Sequence, residues 1–278
     1  MPAQDSDVSG RYNSNARTLD NSVDFYEQFS GIRRWRKRLA REAEGHVLEV
    51  SAGTGRNSDY YKLKKCKSLS SVDLSGPMVE LAEKKFKRLY PKYDQPVPQQ
   101  PPVAFVTQSA LEPLPDSIIE EVTRSGGYDT ILQTMGLCST PKPARLLMHL
   151  GTLAHPERGK ILLLEHGRSH YDWLNNILDK MASERADKQG CWWNRDIEQI
   201  IEDSGLVVER MRRKHLGTLY IVEARPKRHS DTAEGKDGGQ EVIDEVGISW
   251  PVARIKALIG RDPGVRTSEE EEKSLENN

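Results

Sequence analysis

Short apolar runs alternate, along the middle of the chain, with segments in which apolar residues recur every three or four positions. The runs have the length and the β-branched content of strands, and the longer segments have the period of helices. Two further runs flank Gly217 and indicate a hairpin. The predicted strands cover residues 46–50, 68–73, 103–107, 129–133, 160–165, 206–211 and 218–224.

Helices are predicted between and after these strands. Trp35, Leu39 and Ala43 recur on one face of the first helix, and Pro77 stands in the first turn of another. The predicted helices cover residues 23–43, 57–63, 77–89, 144–154 and 196–203, with a further amphipathic helix after His166. We therefore expect an α/β fold: a Rossmann-like seven-stranded, mostly parallel sheet with an antiparallel hairpin at the end and helices on both faces.

The two ends of the chain differ in composition from its middle. Residues 1–20 are polar and predict a flexible N-terminal segment, whereas residues 21–226 carry all the predicted strands and predict one folded domain. Residues 227–278 are rich in Lys, Glu, Asp, Gly and Ser and predict a polar, largely disordered tail. One amphipathic stretch of this tail, residues 248–259, is compatible with a docked short helix or with disorder.

Composition and charge narrow the classes of partner. Hydrophobic residues make up 36% of the chain and charged residues 30%, and the formal net charge is −1. Near-neutral charge gives no electrostatic reason to expect nucleic acid as a main partner. The basic residues between Arg33 and Arg41 form a helix face that we interpret as solvated, with lipid headgroups or nucleic acid as alternatives. Peripheral membrane contact therefore stays open.

The sequence signals for location favour the cytoplasm. The chain has no run of roughly 18 apolar residues, the length that suggests a membrane span. Its first residues include Asp5 and Asp7, and they lack both the apolar region of a secretory signal and the low acid content of a transit peptide. Cys66, Cys138 and Cys191 contain no CxxC pair and indicate reduced thiols. These features predict a soluble intracellular protein.

A glycine-rich turn follows the first predicted strand. The sequence HVLEVSAGTGRN, residues 46–57, leads from that strand into Gly53 and Gly55. Glycines here allow a tight turn and a close approach of a ligand to the backbone, and the helix after them offers free N–H groups. Asp73 ends the next strand, where a carboxylate can accept hydrogen bonds from both ribose hydroxyls. Strand, turn, helix, strand and acid in this order predict a nucleotide site.

The residues around the turn indicate which nucleotide binds. A dinucleotide loop has a third glycine, and Asn57 and Ser58 stand in its place. Glu49, just before the turn, would repel a pyrophosphate but suits the ammonium group of S-adenosylmethionine. These features disfavour a nucleotide-linked oxidoreductase. Ser51 stands where methyltransferase loops usually have their first glycine, and we expect it to tolerate an extended backbone.

Five motifs along the chain carry a family resemblance. LEVSAGTGRN, VDLSGPM, YDTILQTMGLCS, ILLLEHGRS and GCWWNRD follow one another within roughly residues 11–226. With these motifs the chain resembles class I S-adenosylmethionine-dependent methyltransferases, above all the fungal mitochondrial Oms-type methyltransferases. It is more distantly similar to the animal methyltransferase-like 7 thiol methyltransferases and to the quinone-biosynthesis C-methyltransferases. The resemblance implies S-adenosylmethionine as the cofactor and the mitochondrion as the compartment.

The resemblance also implies which residues hold the cofactor. The glycine turn with its neighbouring acids would bind the methionyl group and the ribose, and Leu74 and Met78 would flank the adenine. Ser109 stands where many relatives have an Asp that binds the adenine amino group, and its hydroxyl or the backbone of Ala110 would replace that Asp. The implied cofactor residues are Glu49, Ser51, Gly53, Gly55, Asp73, Leu74, Met78, Ser109, Ala110 and, near the methyl group, Gln133.

His166 is the predicted general base. It follows the fifth strand, and ligands of open α/β sheets gather at the carboxyl ends of the strands. An imidazole at that edge can take a proton near neutral pH. The alternative is a histidine that only orients its loop. Cys138 and Cys191 are expected to be small buried hydrophobes, with a place in the same cleft as the alternative. No metal site is predicted.

Aromatic residues mark the segments that follow His166. Trp173 and Ile177 share a face of the next helix and are interpreted as core. The adjacent Trp192 and Trp193 cannot both face the core, and Asn194 is the predicted N-cap of a helix that begins at residue 195. We expect this segment and the N-terminal helix to form a lid over the acceptor.

The sequence thus predicts a methyltransferase domain over residues 21–226 with a helical lid at its N-terminal end. Its predicted function is methyl transfer from S-adenosylmethionine to a small acceptor, which the resemblance implies to be lipophilic. The alternative is a non-catalytic methyltransferase-like scaffold or assembly factor. The acceptor atom and the oligomeric state stay open.

Overall fold

The fold is built on one mixed β-sheet. A computed structural model describes residues 10–94, 100–228, 230–233, 241–243 and 249–251. The strands are β1 (Gly45–Val50), β2 (Cys66–Asp73), β3 (Val103–Thr107), β4 (Thr130–Thr134), β5 (Lys160–His166), β6 (Val207–Lys214), β7 (Leu219–Arg225), β8 (Glu241–Ile243) and β9 (Ser249–Pro251). Their order across the sheet is β3-β2-β1-β4-β5-β7-β6-β8-β9.

The first five strands run parallel, and the sheet ends in an antiparallel pair. β1 pairs with β2 and β4, β2 also pairs with β3, and β4 pairs with β5. β7 runs antiparallel to both β5 and β6. The predicted seven-stranded, mostly parallel sheet with a terminal hairpin is confirmed. The strand order reverses between β1 and β4, and such a reversal opens a crevice at the carboxyl ends of the strands.

Helices connect the strands and cover the sheet. They are α1 (Gly10–Phe29), α2 (Ile32–Glu42), α3 (Gly76–Leu89), α4 (Asp116–Arg124), α5 (Pro143–Leu153), α6 (Asp172–Gln189), α7 (Ile197–Ser204) and α8 (Ser230–Ala233), with 3-10 turns at Leu63–Lys65 and Pro91–Asp94. The expectation of one helix over residues 23–43 is wrong, because the left-handed backbone of Gly31 (φ 75°) separates α1 from α2.

The N-terminal helix is longer than the sequence pattern predicted. α1 begins at Gly10, inside the segment that was expected to be flexible. Its first turn is anchored, because Ser139, in the loop after β4, donates a hydrogen bond of 2.8 Å to the hydroxyl of Tyr12. Such a long-range contact holds a helix end that composition alone would leave frayed.

The predicted helix over residues 57–63 is wrong. Residues 53–60 form successive turns, closed by short-range backbone hydrogen bonds such as that from the Ser58 N–H to the Gly55 carbonyl. The buried side chain of Asn57 bonds to groups on three other elements. Polar side chains that make such bonds compete with helix formation. The glycine loop is therefore not followed by a regular helix.

Apolar residues fill both faces of the sheet. On β4, Ile131 and Leu132 point to opposite faces and both are fully buried. Ile131 belongs to a cluster with Leu147 of α5 and Ile201 of α7, whereas Leu132 packs in a second cluster beneath α2 and α3. Central strands that are buried on both faces explain why the apolar runs of the sequence are nearly continuous.

Part of the polar tail adds two three-residue strands to the edge of the sheet. β8 pairs with β6 in parallel, and β9 pairs with β8 antiparallel. A docked helix was one of two possibilities for residues 248–259. At the start of this stretch it is wrong, because Ser249–Pro251 is a strand. The rest of the stretch lies outside the described residues. Across the described part of the chain, no helix combines the length and the apolar character needed to cross a membrane.

Candidate functional site

The loop after β1 has a left-handed backbone at Ser51 (φ 54°), Gly53 (φ 56°) and Gly55 (φ 73°). The expected extended backbone of Ser51 is wrong, and this conformation costs a non-glycine residue about 1–2 kcal/mol. A Cβ on Gly136 would lie 2.5 Å from the Cβ of Ser51, so the loops after β1 and β4 touch at a glycine. A Cβ on Gly53 would meet no atom within 4 Å, so the backbone there faces open space.

Asp73 ties the end of β2 to this loop. Its Oδ2 accepts a hydrogen bond of 2.8 Å from the Gly53 N–H, and its Oδ1 accepts one of 2.9 Å from the Ser75 N–H. Burial raises the pKa of the Asp73 carboxyl above its usual value, although these N–H donors act in the opposite direction. The acid that the sequence pattern placed on a ribose is therefore in contact with the glycine turn.

Glu49 lies beneath the loop in a buried polar cluster. Its Oε1 accepts a hydrogen bond of 2.8 Å from Asn57, and its Oε2 lies 3.5 Å from the Ser71 hydroxyl. Burial raises the pKa of Glu49, against the effect of the Asn57 hydrogen bond. Within the described residues, Glu49 therefore helps to fix the conformation of the loop by its hydrogen bond with Asn57.

A buried ion pair, which the sequence pattern did not reveal, supports the same cluster. Arg36 of α2 binds both carboxylate oxygens of Glu27 of α1, at 2.6 and 3.1 Å. Its guanidinium also donates to Asn57 (3.2 Å) and to Thr134 at the end of β4 (2.6 Å). Burial acts to raise the pKa of Glu27, but the charges and hydrogen bonds of Arg36 and Arg56 together outweigh it, so the pKa is lowered. Arg36 was expected on a solvated basic face, and that interpretation is wrong for it.

The other predicted cofactor residues lie around the loop at different depths. Gln133 is fully buried near the end of β4, and neither its amide oxygen nor its nitrogen has a hydrogen-bond partner in the described structure. Leu74 is 54% exposed, whereas Met78 is buried. Ser109 accepts a hydrogen bond of 3.2 Å from the Leu111 N–H, so part of its capacity is used. Ala110 is partly buried against the apolar core.

His166 ends β5, and its Nε2 lies 3.0 Å from the Sγ of the buried Cys191. The ligand atoms of Cys138, His166 and Cys191 all lie within 4.8 Å of one another. Burial acts to lower the pKa of His166, but Cys138 and the charge of Glu165 together outweigh it, so the pKa is raised. The hydrogen bond from Cys138 lowers the pKa of Cys191, against the effect of burial. Cys138 and Cys191 are both buried, as expected, and both lie beside the histidine at this edge of the sheet.

Tyr12 is a further residue of this edge that sequence reasoning missed. Its hydroxyl accepts from Ser139 and donates to the Gly190 carbonyl at 3.4 Å. Its pKa is raised well above the usual value, first by burial and then by the nearby Cys138, Cys191 and Asp73. Tyr12 therefore lies near enough to both thiols and to Asp73 for their charges to act on it.

Glu165 holds the loop that carries Cys138. Its carboxylate accepts hydrogen bonds from the backbone N–H groups of Gly136 (3.0 Å) and Leu137 (3.3 Å). The side chain is fully buried, and burial raises its pKa to about 7. A carboxyl in this state titrates near neutral pH.

The segment before α7 differs from expectation in its N-cap. The N-cap of α7 is Asp196, which accepts from the Gln199 N–H, whereas Asn194 donates to Asp179 at 2.7 Å. The predicted N-cap was wrong, because the Asn194 side chain is used in this contact with α6. Trp192 is buried and Trp193 half-buried, as their adjacency predicted.

The outer face of α6 is apolar. Trp173 is 56% exposed and Ile177 46% exposed, so their interpretation as core residues is wrong. The helix instead buries Leu178 and Ala182 on the face turned to the domain. α1, which contacts α6, exposes Phe25 and Phe29.

Comparison with known protein families shows which family the domain belongs to. Residues 25–210, which include the glycine loop, Asp73, Gln133 and His166, match the family described as the methyltransferase domain. The chain belongs to the methyltransferase domain family. The mitochondrial methyltransferase OMS1 of Saccharomyces cerevisiae is 37% identical over 234 residues, which are 82% of this chain and 47% of that protein. The chain thus spans about half the length of this curated relative, and the Oms-type resemblance is confirmed.

Solved methyltransferase structures share the fold of this domain. The N-methyltransferase NodS of Bradyrhizobium japonicum, in complex with S-adenosyl-L-homocysteine, has a TM-score of 0.54 and 12% identity, with 80% of this chain and 100% of that one covered. A SAM-dependent methyltransferase of Leishmania major has a TM-score of 0.53 and 14% identity, with 78% and 83% covered. At these identities the likeness shows the Rossmann-like fold alone.

Proposed function

We propose that this methyltransferase domain transfers a methyl group from S-adenosylmethionine to a small, lipophilic acceptor. The observation that supports this most is Gln133, whose buried amide lies beside Gly136, where the loop after β4 meets Ser51, and has no hydrogen-bond partner among the described residues. An unpaired buried polar group costs about 1–3 kcal/mol. A polar ligand beside the loop would recover this cost.

The residues around the loop fit such a cofactor. The open space over Gly53 accepts a ligand against the backbone, and each Asp73 oxygen that accepts one N–H has a second lone pair for a ribose hydroxyl. Glu49 orients Asn57 and adds negative charge near an ammonium group. Leu74 is exposed, as a residue that covers an adenine must be. Further proposed contacts, on the family resemblance, are Ser51, Gly55, Met78, Ser109 and Ala110.

The cofactor supplies, when bound, a methyl group activated by a positively charged sulfur. The protein's part is to hold the acceptor atom about 3–3.5 Å from that carbon and in line with the breaking bond. Gln133 can orient the groups on either side because its amide both donates and accepts hydrogen bonds.

A lipophilic acceptor is supported by the helices that flank the cleft. Near the start of α1, the Tyr12 hydroxyl is hydrogen-bonded to Ser139 in the loop after β4 and to the Gly190 carbonyl at the end of α6. On the same two helices, Phe29 is 74% exposed and Trp173 is 56% exposed. On α1 the exposed rings of Phe25 and Phe29 lie 4.3 Å apart, and exposed apolar surface of this kind is typical of sites that meet apolar ligands. We propose that α1, together with the segment 191–196, is the lid over the acceptor.

His166 is the general base in this proposal. It stands at the strand edge where acceptors gather, and its imidazole can take a proton near neutral pH. Its Nε2 is in contact with Cys191, so proton transfer from an acceptor requires that the thiol gives up this contact.

The test is a labelled-methyl assay of the purified chain against a panel of thiols, phenols, quinone precursors and amines, each in a short-chain and a long-chain form. The proposal predicts transfer to at least one class, with the long-chain form preferred. A chain that binds S-adenosylmethionine but methylates none of the panel would favour the scaffold alternative. Transfer to polar amines alone would contradict the lipophilic acceptor.

The compartment is proposed from the curated relative. That relative is mitochondrial, and we propose the same location for this chain. Fractionation of cells that express the tagged full-length protein tests this, and a signal confined to the cytosol would contradict it.

A further inference from the structure

Three metal-binding side chains meet at the carboxyl edge of the sheet. Cys138 lies in the loop after β4, His166 ends β5, and Cys191 lies between α6 and α7. Their ligand atoms are within 4.8 Å of one another. We propose that Cys138, His166 and Cys191 bind a zinc ion.

The spacing of the three atoms fits tetrahedral zinc. With Zn–S distances of about 2.3 Å and Zn–N distances of about 2.0–2.1 Å, neighbouring ligand atoms of a tetrahedral site lie roughly 3.5–3.8 Å apart. The His166 Nε2 to Cys191 Sγ distance is 3.0 Å, and the other two fall within the 4.8 Å limit. Zinc binding would lengthen the His166–Cys191 distance by about 0.5 Å, to that of a tetrahedral N–Zn–S pair.

The loops that carry the two cysteines are fixed to each other by bonds that do not use the thiols. The backbone N–H of Trp192 donates to the Cys138 carbonyl at 3.0 Å. The buried Arg195 donates to the same carbonyl at 3.4 Å and to the Thr140 carbonyl at 2.8 Å. The ligand positions are therefore held by a hydrogen-bonded frame, which lowers the entropy cost of binding a metal.

The donor set has the chemistry that zinc prefers. Two thiolates and one imidazole select zinc over the hard ions magnesium and calcium. Binding converts two thiols to thiolates and releases two protons, and the two negative charges cancel the charge of the ion. Three protein ligands leave a fourth position for water or another small ligand, the arrangement of catalytic zinc sites. Of the three ligands, His166 is only partly buried, whereas both cysteines are buried.

Zinc would change the role of His166. A nitrogen that binds a metal has no lone pair for a proton, so the zinc-bound chain cannot use His166 as a base. The zinc site itself does not depend on methyl transfer. Its test is therefore a measurement of metal content. A wrong choice of acceptor does not affect the result of that measurement.

The experiment uses the full chain, purified with a reductant, stripped of metal with a chelator and dialysed against zinc. Zinc content is measured by mass spectrometry, and a parallel sample is titrated with Co²⁺, whose absorption reports tetrahedral thiolate coordination. The variants are Cys138→Ser, Cys191→Ser and His166→Gln. Cys66→Ser is the matched control, because Cys66 is also buried but begins β2, at the opposite edge of the sheet.

We expect one zinc ion per chain in the wild type and in Cys66→Ser, and loss of that ion in each ligand variant. The Co²⁺ spectrum of wild type should show a thiolate charge-transfer band that both cysteine variants weaken. Circular dichroism shows whether each metal-free variant is folded. A folded wild-type chain that takes up no zinc, or folded ligand variants that keep it, would overturn the proposal. A zinc-free wild type that forms a Cys138–Cys191 disulfide on mild oxidation would instead assign the two thiols to a redox pair.

Discussion

Arg36 and Glu27 form a two-pronged ion pair, with N–O distances of 2.6 and 3.1 Å, in which each side chain is only 4% exposed. The same guanidinium reaches Asn57, and Asn57 reaches Glu49 beneath the glycine loop. The pair therefore links the N-terminal helix α1 to the loop that we propose binds the cofactor.

Replacement of one partner should show how much this ion pair contributes to the free energy of unfolding. Arg36→Leu leaves a buried carboxylate with only the Arg56 contact of 3.1 Å, and loss of one partner of a buried pair costs about 3–5 kcal/mol. The free energy of unfolding in urea measures this. Arg38→Leu, on the same helix, removes a half-exposed pair with Glu42 and should cost less than about 1 kcal/mol. Equal losses in the two variants would contradict the role given to the buried pair.

A side chain at Gly53 should block the cofactor without unfolding the domain. Gly53→Val fills the open space over the loop, so binding of S-adenosylmethionine should be lost. Gly205→Val is the matched control, because Gly205 also has a positive φ (72°) and empty space at its Cβ but follows α7 at the opposite edge of the sheet. Both variants should lose similar stability from backbone strain, about 1–2 kcal/mol. Normal binding by a folded Gly53→Val chain would disprove the assignment of the loop.

Stability should depend on pH through Glu165. Its folded pKa is raised to about 7, above its ordinary value of 4.5, so it binds more protons in the folded state between these values. Its contribution to stability is therefore fully present below about pH 4.5 and is lost as pH rises through about 7. Glu165→Gln lacks this titration. Thermal unfolding from pH 5 to 8 should show the stability of wild type falling relative to Glu165→Gln, and a constant difference would contradict the raised pKa.

The base hypothesis for His166 predicts a pH-dependent rescue. In the metal-free chain, His166→Ala should lower turnover by roughly 10²–10⁴-fold, with little change in cofactor affinity. Activity of the variant should recover as pH approaches the pKa of the acceptor, because the acceptor then ionises unaided. Steady-state kinetics across pH measure both effects. A chelator-treated wild-type chain without turnover, beside an active zinc-loaded one, would remove the base role.

The order and kind of most elements could be predicted because the strands are buried on both faces. Ile131, Leu132 and Leu163 all lie in the core, so the strands read as continuous apolar runs. The positions of the glycine loop and of Asp73 in the fold could also be predicted from the strands, because the loop follows the end of β1 and Asp73 is the last residue of β2.

The polar contacts across the chain could not be predicted. Arg36 stands among other basic residues in the sequence, and nothing local distinguishes the one that is buried against Glu27. Cys138, His166 and Cys191 are far apart in the chain, and they meet only because the fold brings the loop after β4, the end of β5 and the segment between α6 and α7 together. Tyr12 lies in a polar segment whose helix is held by a distant loop. Long-range contacts of this kind leave no periodic signal.

Isothermal titration with S-adenosylmethionine tests most directly the claim that the loop after β1 is a cofactor site. The purified chain should bind one molecule, and Asp73→Ala should weaken binding by about 1.5–3 kcal/mol, because a charged hydrogen-bond partner of the ribose is lost. That loss corresponds to a roughly 10- to 150-fold higher Kd. Circular dichroism should show the variant folded. A folded wild-type chain that gives no binding heat and no other sign of binding, or a folded Asp73→Ala chain with unchanged affinity, would contradict the assignment of the site.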